Sequence, residues 1–155
     1  MTVKREMHEN KLFSNLVNGI IETKSDDCLI PISALTMDSR EVSAGSIFFG
    51  VPGTANDGRN FTDHAFNNGA SAVLVERAGW ISPSTAKPCY PVMNLKDKVG
   101  HIANRFFDRP SESLLTIGIT GTNGKTTCSM LLSQALSILG RKCGFIGTNG
   151  WGLED

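Results

Sequence analysis

The 155-residue sequence predicts an α/β protein in two parts, and three observations lead there. Short apolar runs alternate with stretches whose apolar residues recur every three or four positions, as strands interleaved with helices require. Turn residues punctuate those stretches at Pro52-Gly53, Asn56-Asp-Gly58 and Pro110. Towards the C-terminus a Gly-rich run, Ile117 to Thr127, joins an apolar segment to an amphipathic one.

Taken in order, Leu12, Leu16, Val17 and Ile20, with Phe13 beside them, fit one face of a short helix. The polar break Ser25-Asp-Asp27 precedes strand candidates at Leu29–Ile32, Ala34–Met37 and Ser46–Val51. A helix is expected from Phe61 to Asn68, stopped by Gly69, with a strand returning at Ala72–Val75. Ser82 to Pro88 reads as a loop. Tyr90–Leu95 offers a strand, followed by a helix whose Val99, Ile102, Ala103 and Phe106 share a face. Pro110 disfavours helical geometry at Arg109 and so ends it. That divides the chain into a domain over residues 1–110 and the start of a second over 111–155.

The second part opens with Leu114, Leu115, Ile117 and Ile119, an apolar run suited to a buried parallel strand. After the Gly-rich turn, Cys128, Leu131, Leu132, Ala135, Leu136 and Leu139 mark one helix face, and Gly140 marks its stop. Cys143 to Ile146 supplies the next strand of a βαβ unit, and Asn149-Gly150 a tight turn. One βαβ unit cannot cover both faces of its own sheet, so the chain is expected to stop just after this second domain begins.

The turn itself carries chemistry. Glycines at 118, 121 and 124 miss the strict phosphate-loop spacing, which wants Gly where Ile119 stands, and they miss the dinucleotide fingerprint as well. Even so, a Gly-rich turn ending in Gly124-Lys125-Thr126 at a helix start points amides at one spot and adds one ammonium and one hydroxyl. Such a site suits the phosphates of ATP. Lys125 is the expected catalytic cation, Gly121, Thr122, Asn123, Gly124, Lys125, Thr126 and Thr127 the ATP cradle, and Thr126 the ligand for Mg²⁺.

Charge and composition narrow the partners. Fifteen basic residues balance fifteen acidic ones, so nothing points to a nucleic-acid or membrane surface. Residues 1–10 are polar, without the apolar stretch of a signal peptide, and no window has the length of a membrane span. Four scattered cysteines suggest neither a metal site nor a disulfide framework. A cytoplasmic monomer is expected. His8, His64 and His101 lack ligand spacing, and His64 suits a surface or capping role. Trp80 and Trp151 are expected to anchor packing rather than stack on bases.

The run Thr120-Gly-Thr-Asn-Gly-Lys-Thr-Thr127 resembles the ATP loop of the Mur ligase family, cytoplasmic enzymes that build the peptidoglycan precursor peptide. Met37-Asp-Ser-Arg40, Gly45, Phe48-Phe49, Gly53, Asn56-Asp-Gly58 and Phe61 are similar to the N-terminal domain of the MurE-type members, and Phe106-Phe-Asp-Arg-Pro-Ser111 to the join between the family's first two domains. The resemblance runs from about Ile32 onward. It implies a UDP-N-acetylmuramoyl-peptide substrate held by the first domain, with Met37 and Ser39 on one contact segment and Thr54, Ala55 and Asn56 on another. The bland alternative is that Asp38-Ser39-Arg40 caps a strand and pairs Arg40 with Asp38 or Asp57. The implied reaction is ATP-dependent: a glutamate carboxylate becomes an acyl phosphate, and the amine of meso-diaminopimelate or L-lysine displaces phosphate. Most of the ATPase domain and the family's third domain are missing from these residues, so the chain alone is expected to be inactive. Two alternatives remain open, a non-catalytic UDP-sugar-binding module and the MurF-type ligase of the same family. Asn123, where that relative usually has Ser, favours the MurE type. An unrelated phosphate-loop kinase would lack the Asp-Ser-Arg segment.

Overall fold

The computed structural model describes residues 11–54, 56–81, 87–148 and 150–154. His8, Ala55, most of the 82–88 loop and Asn149 of the expected turn lie outside the described residues. The chain separates into two compact units, divided between Ser113 and Leu114.

The first unit is built on a four-stranded parallel sheet. Its strands are β3 (Ala34–Thr36), β4 (Ser46–Gly50), β5 (Ala70–Glu76) and β6 (Cys89–Val92), in that spatial order. A small antiparallel pair, β1 (Lys11–Leu12) with β2 (Pro31–Ile32), stands apart from it. Strand alternation explains the layers. On β4, Ile47 and Phe49 point one way and Phe48 the other; on β5, Ala72 and Leu74 oppose Val73 and Val75. The first set packs with α1 (Phe13–Val17) and α3 (Leu95–Phe106) through Phe13, Leu16, Leu95, Ile102 and Phe106. The second packs with α2 (Thr62–Asn67) through Ala65 and Phe66. Both faces of the sheet are therefore covered, as a parallel sheet requires.

Several local devices fix these elements. Glu76, the last residue of β5, accepts from the Leu95 amide at 2.8 Å and the Asn94 amide at 3.2 Å, so a strand carboxylate caps the start of α3. Arg105 of α3 donates to the carbonyls of Leu16 and Asn18 at the end of α1. The Tyr90 hydroxyl donates to Asp27, tying the edge strand to the loop before β2. Asp108 and Arg109 both take left-handed backbone conformations, φ 59° and 55°, directly before Pro110. That pair stops α3 before the proline itself is reached.

The expected strand at Leu29–Ile32 shrinks to Pro31–Ile32, and Leu29 is exposed. The strand expected over Tyr90–Leu95 ends at Val92, because Leu95 already belongs to α3.

The second unit departs further from expectation. Helix α4 (Lys125–Ile138) forms where the periodicity places it. The strand expected over Leu114–Ile119 does not form, and Leu114, Leu115 and Ile117 are exposed. Strand β7 (Cys143–Gly147) forms, but it pairs antiparallel with β8 (Gly150–Glu154) instead of completing a βαβ unit. The physical reason is the lack of neighbours. A parallel strand needs a neighbour running in the same direction, and the described residues of this unit offer β7 only a hairpin return.

Candidate functional site

In the second unit, the Gly-rich turn adopts the shape its glycines permit. Gly124 is left-handed at φ 75° and Gly121 sits at φ 149°, conformations that L side chains rarely adopt. Gly124 is the N-cap of α4, and no side chain caps this helix end. The first helical bond runs from the Cys128 amide to the Gly124 carbonyl at 2.8 Å. The amides of Lys125, Thr126 and Thr127 thus precede the intrahelical ladder and face outward at the positive end of the helix. Lys125 Nζ curls back and donates to the Gly121 carbonyl at 2.6 Å and the Thr122 carbonyl at 3.1 Å. Its ammonium is therefore centred over the turn. Thr126 is half-buried, and its Oγ1 lies 4.0 Å from where a Cβ on Gly147 would stand, so the end of β7 adjoins the candidate metal-binding hydroxyl. Thr122, Asn123 and Thr127 are exposed.

These residues fit a nucleotide polyphosphate. Free amides, a cation on the turn and a hydroxyl on the first helical turn converge on one small region, and no carboxylate stands among them to repel an anion. No group of three or more His, Cys, Asp or Glu side chains that could hold a metal occurs among the described residues. Thr126 is the hydroxyl of this turn that could offer an oxygen to a magnesium ion.

In the first unit, the other candidate residues gather at one sheet edge. Strands β3 and β4 are adjacent and parallel, so the segments that leave their C-terminal ends open on the same side. Met37, exposed, and Ser39, buried, follow β3. The Ser39 carbonyl accepts from the Asn68 side chain at 2.9 Å. Thr54 and Asn56 follow β4, both exposed, on a turn closed by the Gly53 amide donating to the Asn56 carbonyl at 2.9 Å. Ligands of parallel sheets bind at this edge.

Two aspartates organise it. Asp38 accepts from the Arg40 backbone amide and grips the guanidinium through both oxygens, Nη2 to Oδ2 at 2.6 Å. That fork holds its carboxyl well below the usual range, at about 2. Asp57 makes the same set of contacts with Arg59, and the guanidinium likewise lowers its pKa. Arg40 therefore pairs with Asp38, as one of the two readings of that segment held, and Asp57 takes its own arginine. Sequence reasoning missed the Asp57–Arg59 fork, although the repeated spacing Asp-x-Arg at 38–40 and 57–59 signals it.

The remaining candidates are ordinary. His64 and His101 are exposed on their helices. Trp80 packs on the second core face, and its indole N–H has no partner among the described residues. Trp151 is exposed. All four cysteines are free thiols, and burial pushes the Cys89 thiol up to about 11. A polar hollow of about 410 Å³ lies between α1 and the end of α3, lined by Lys11, Asn18, Arg105, Asp108 and Arg109. Its cations are already engaged: Lys11 with Asp108, Arg105 with carbonyls and Arg109 with Glu112. No helix among the described residues is long and apolar enough to cross a membrane.

The chain is similar to several known proteins. Residues 31–107 match the model of the Mur ligase family, catalytic domain. A UDP-N-acetylmuramoyl-L-alanyl-D-glutamate–2,6-diaminopimelate ligase of Coxiella burnetii is 42% identical over 145 residues, covering 92% of this chain and 29% of the relative. Enzymes of the same name from Ectopseudomonas mendocina and Pseudomonas aeruginosa are 47% and 46% identical, each over 79% of this chain and 26% and 25% of their own lengths. A solved structure of a ligase with this name superposes with a TM-score of 0.72 at 27% identity, over 93% of this chain and 29% of that one. A MurF ligase from Thermotoga maritima in complex with ADP gives 0.53 at 28% identity, over 68% and 23%. The chain thus spans 25% to 29% of the length of these three curated relatives.

Proposed function

Because this chain belongs to the Mur ligase family, we propose that it is the N-terminal part of an ATP-dependent ligase that joins 2,6-diaminopimelate to UDP-N-acetylmuramoyl-L-alanyl-D-glutamate. The observation that carries this reading is the capless start of α4, with Lys125 folded over Gly121 and Thr122. In the proposed assignment, residues 1–110 hold the UDP portion and residues 111–155 begin the ATP-binding domain, in a monomeric protein of the cytoplasm. Met37, Ser39, Thr54, Ala55 and Asn56 contact the uridine nucleotide; Gly121 to Thr127 contact ATP. Among the relatives, the names of the diaminopimelate ligases and the higher structural similarity to one of them favour this enzyme over the MurF type.

The residues present have defined work in such a reaction. Mg²⁺–ATP would supply the γ-phosphoryl group to the glutamate carboxylate with release of ADP, and the amine would displace phosphate from the resulting acyl phosphate. Bringing a carboxylate up to a triphosphate concentrates negative charge. Lys125 offsets it by releasing the two turn carbonyls and moving its ammonium onto the outer phosphates. The three free amides at the start of α4 fix the phosphate oxygens in position without reorganising. Thr126 would contribute its hydroxyl as one oxygen ligand for the metal.

Titration of the 155-residue chain by calorimetry tests the two halves separately. UDP-N-acetylmuramoyl-L-alanyl-D-glutamate is expected to bind and Lys125→Ala to leave that binding intact, while no ADP is released when ATP is added with it. Absence of any response to the UDP ligand removes the assignment of the first unit. ADP release by the unaltered chain would show that the catalytic groups are complete without further residues, contrary to the proposal.

A further inference from the structure

The two Asp-x-Arg forks are alike in their bonds and opposite in their surroundings. In each, the aspartate accepts from the arginine backbone amide two residues on, at 2.9 Å for Arg40 and 3.0 Å for Arg59. In each, Nε bonds both carboxylate oxygens and Nη2 lies 2.6 Å from Oδ2. Arg40, however, is 82% exposed and bonds only Asp38 among the described residues, whereas Arg59 is 18% exposed. The remaining Nη1 of Arg59 donates to the Ala78 carbonyl, in the loop that follows β5. The second fork therefore joins the turn after β4 to the loop after the neighbouring strand.

That turn is braced at its base. Pro52 and Asp57 form an antiparallel bridge, and the Gly58 amide donates to the Val51 carbonyl at 3.1 Å. A Cβ on Gly58 would stand 2.7 Å from the same carbonyl, so only glycine allows this close return. Past these ties, the Thr54 and Asn56 side chains are exposed and make no side-chain hydrogen bond among the described residues. A tip of this kind loses side-chain freedom when it binds, and loses more if its backbone also has to be fixed. An anchored base removes the backbone share of that cost.

We infer that Asp57 and Arg59 are positioning residues for substrate: by strapping the turn to the Ala78 carbonyl they hold Thr54 and Asn56 in the arrangement that receives the UDP portion of the ligand. The inference rests on the proposed function of the first unit. Arg59 does not touch the ligand; it acts through the turn. A part-buried bidentate pair suits this role, since an arginine fork fixes direction as well as distance, which a lysine cannot do.

The test combines amide hydrogen exchange with calorimetric titration of the whole 155-residue chain by UDP-N-acetylmuramoyl-L-alanyl-D-glutamate. In Arg59→Ala, exchange at the Gly53 and Gly58 amides is expected to accelerate and the Kd to rise about tenfold; added methylguanidinium should recover part of both. Arg59→Lys should fall between the two, nearer to alanine. If Arg59→Ala does not fold, Asp57→Asn, which retains an acceptor for the Arg59 amide, is read by the same two measurements. Faster exchange with an unchanged Kd would make the fork a stability element only and overturn the inference, as would unchanged exchange. If the unaltered chain does not bind the ligand, the reading of the first unit fails, a result distinct from a mutant that binds as well as its parent.

Discussion

Strand β4 and helix α4 lead into or out of the two turns that matter here, yet they live in opposite environments. Every residue of β4 is buried, whereas Ser133 is the only buried residue among the fourteen of α4. The stripe of α4 that is covered, Thr126, Ser129, Ser133, Leu136 and Ser137, is mostly hydroxylated; Leu131, Leu132 and Leu139, on the apolar stripe, are exposed. The contrast teaches that apolar periodicity specifies which face seeks cover without supplying the cover. In the first unit helices arrive on both sides of the sheet. In the second, a hairpin meets only one side of the helix.

The sharpest way to break the comparison is to mutate the turn that the uncovered helix carries. Lys125→Ala, in a ligase that contains this chain, is expected to lower ATP-dependent ligation by roughly 10³-fold or more, measured as ADP release, while the melting temperature stays unchanged. A loss of only a few fold would remove Lys125 from the chemistry. The next largest effect belongs to the covered unit: Phe48→Ala, fully buried on the second core face, should destabilise by about 3–5 kcal/mol in urea unfolding. Glu76→Ala, which strips the cap from α3, should cost about 1 kcal/mol and speed exchange of the Leu95 amide. Leu131→Ala on the open face of α4 should change stability by less than about 0.5 kcal/mol. A large loss there would mean that the apolar stripe is covered in solution.

Acid sharpens the contrast further, because the titrating caps sit in the first unit. Burial works against the charged form of Glu76, but the amides of Leu95, Ala78, Asn94 and Arg77 more than offset it and hold its pKa below the ordinary 4.5. The arginine forks lower Asp38 and Asp57 from 3.8. A group whose folded pKa is depressed stabilises fully above its unfolded value and loses that contribution as pH falls through the folded one. Stability of the first unit should hold down to about pH 4.5 and then decline towards pH 2, with the amides of Leu95, Arg40 and Arg59 exchanging faster as it does. A first unit equally stable at pH 2 and pH 6 would mean that these carboxylates are not bonded as described.

Much of the candidate site was legible before any coordinates. Gly121 and Gly124 declare themselves because a positive φ in a turn at a helix start demands glycine, a local requirement. Likewise Phe48, Val73 and Phe106 fall where strand and helix periods put them. The Arg59 strap was not legible, since its third partner is a backbone carbonyl nineteen residues away, and carbonyls leave no mark in composition. Nor was the capping of α3 by Glu76, a residue of another element.

The sequence by itself determined the α/β character of the chain, the faces that α1 and α3 would bury and the Gly-rich turn with a lysine at the start of α4, because each depends on φ preferences and spacing within about a dozen residues. Tertiary structure alone decided which expected strands form. The run from Leu114 to Ile119 is as apolar as β4, but hydrogen bonds between strands are made in pairs. Where the described residues bring no partner strand against it, the same kind of sequence forms no strand and stays open to water.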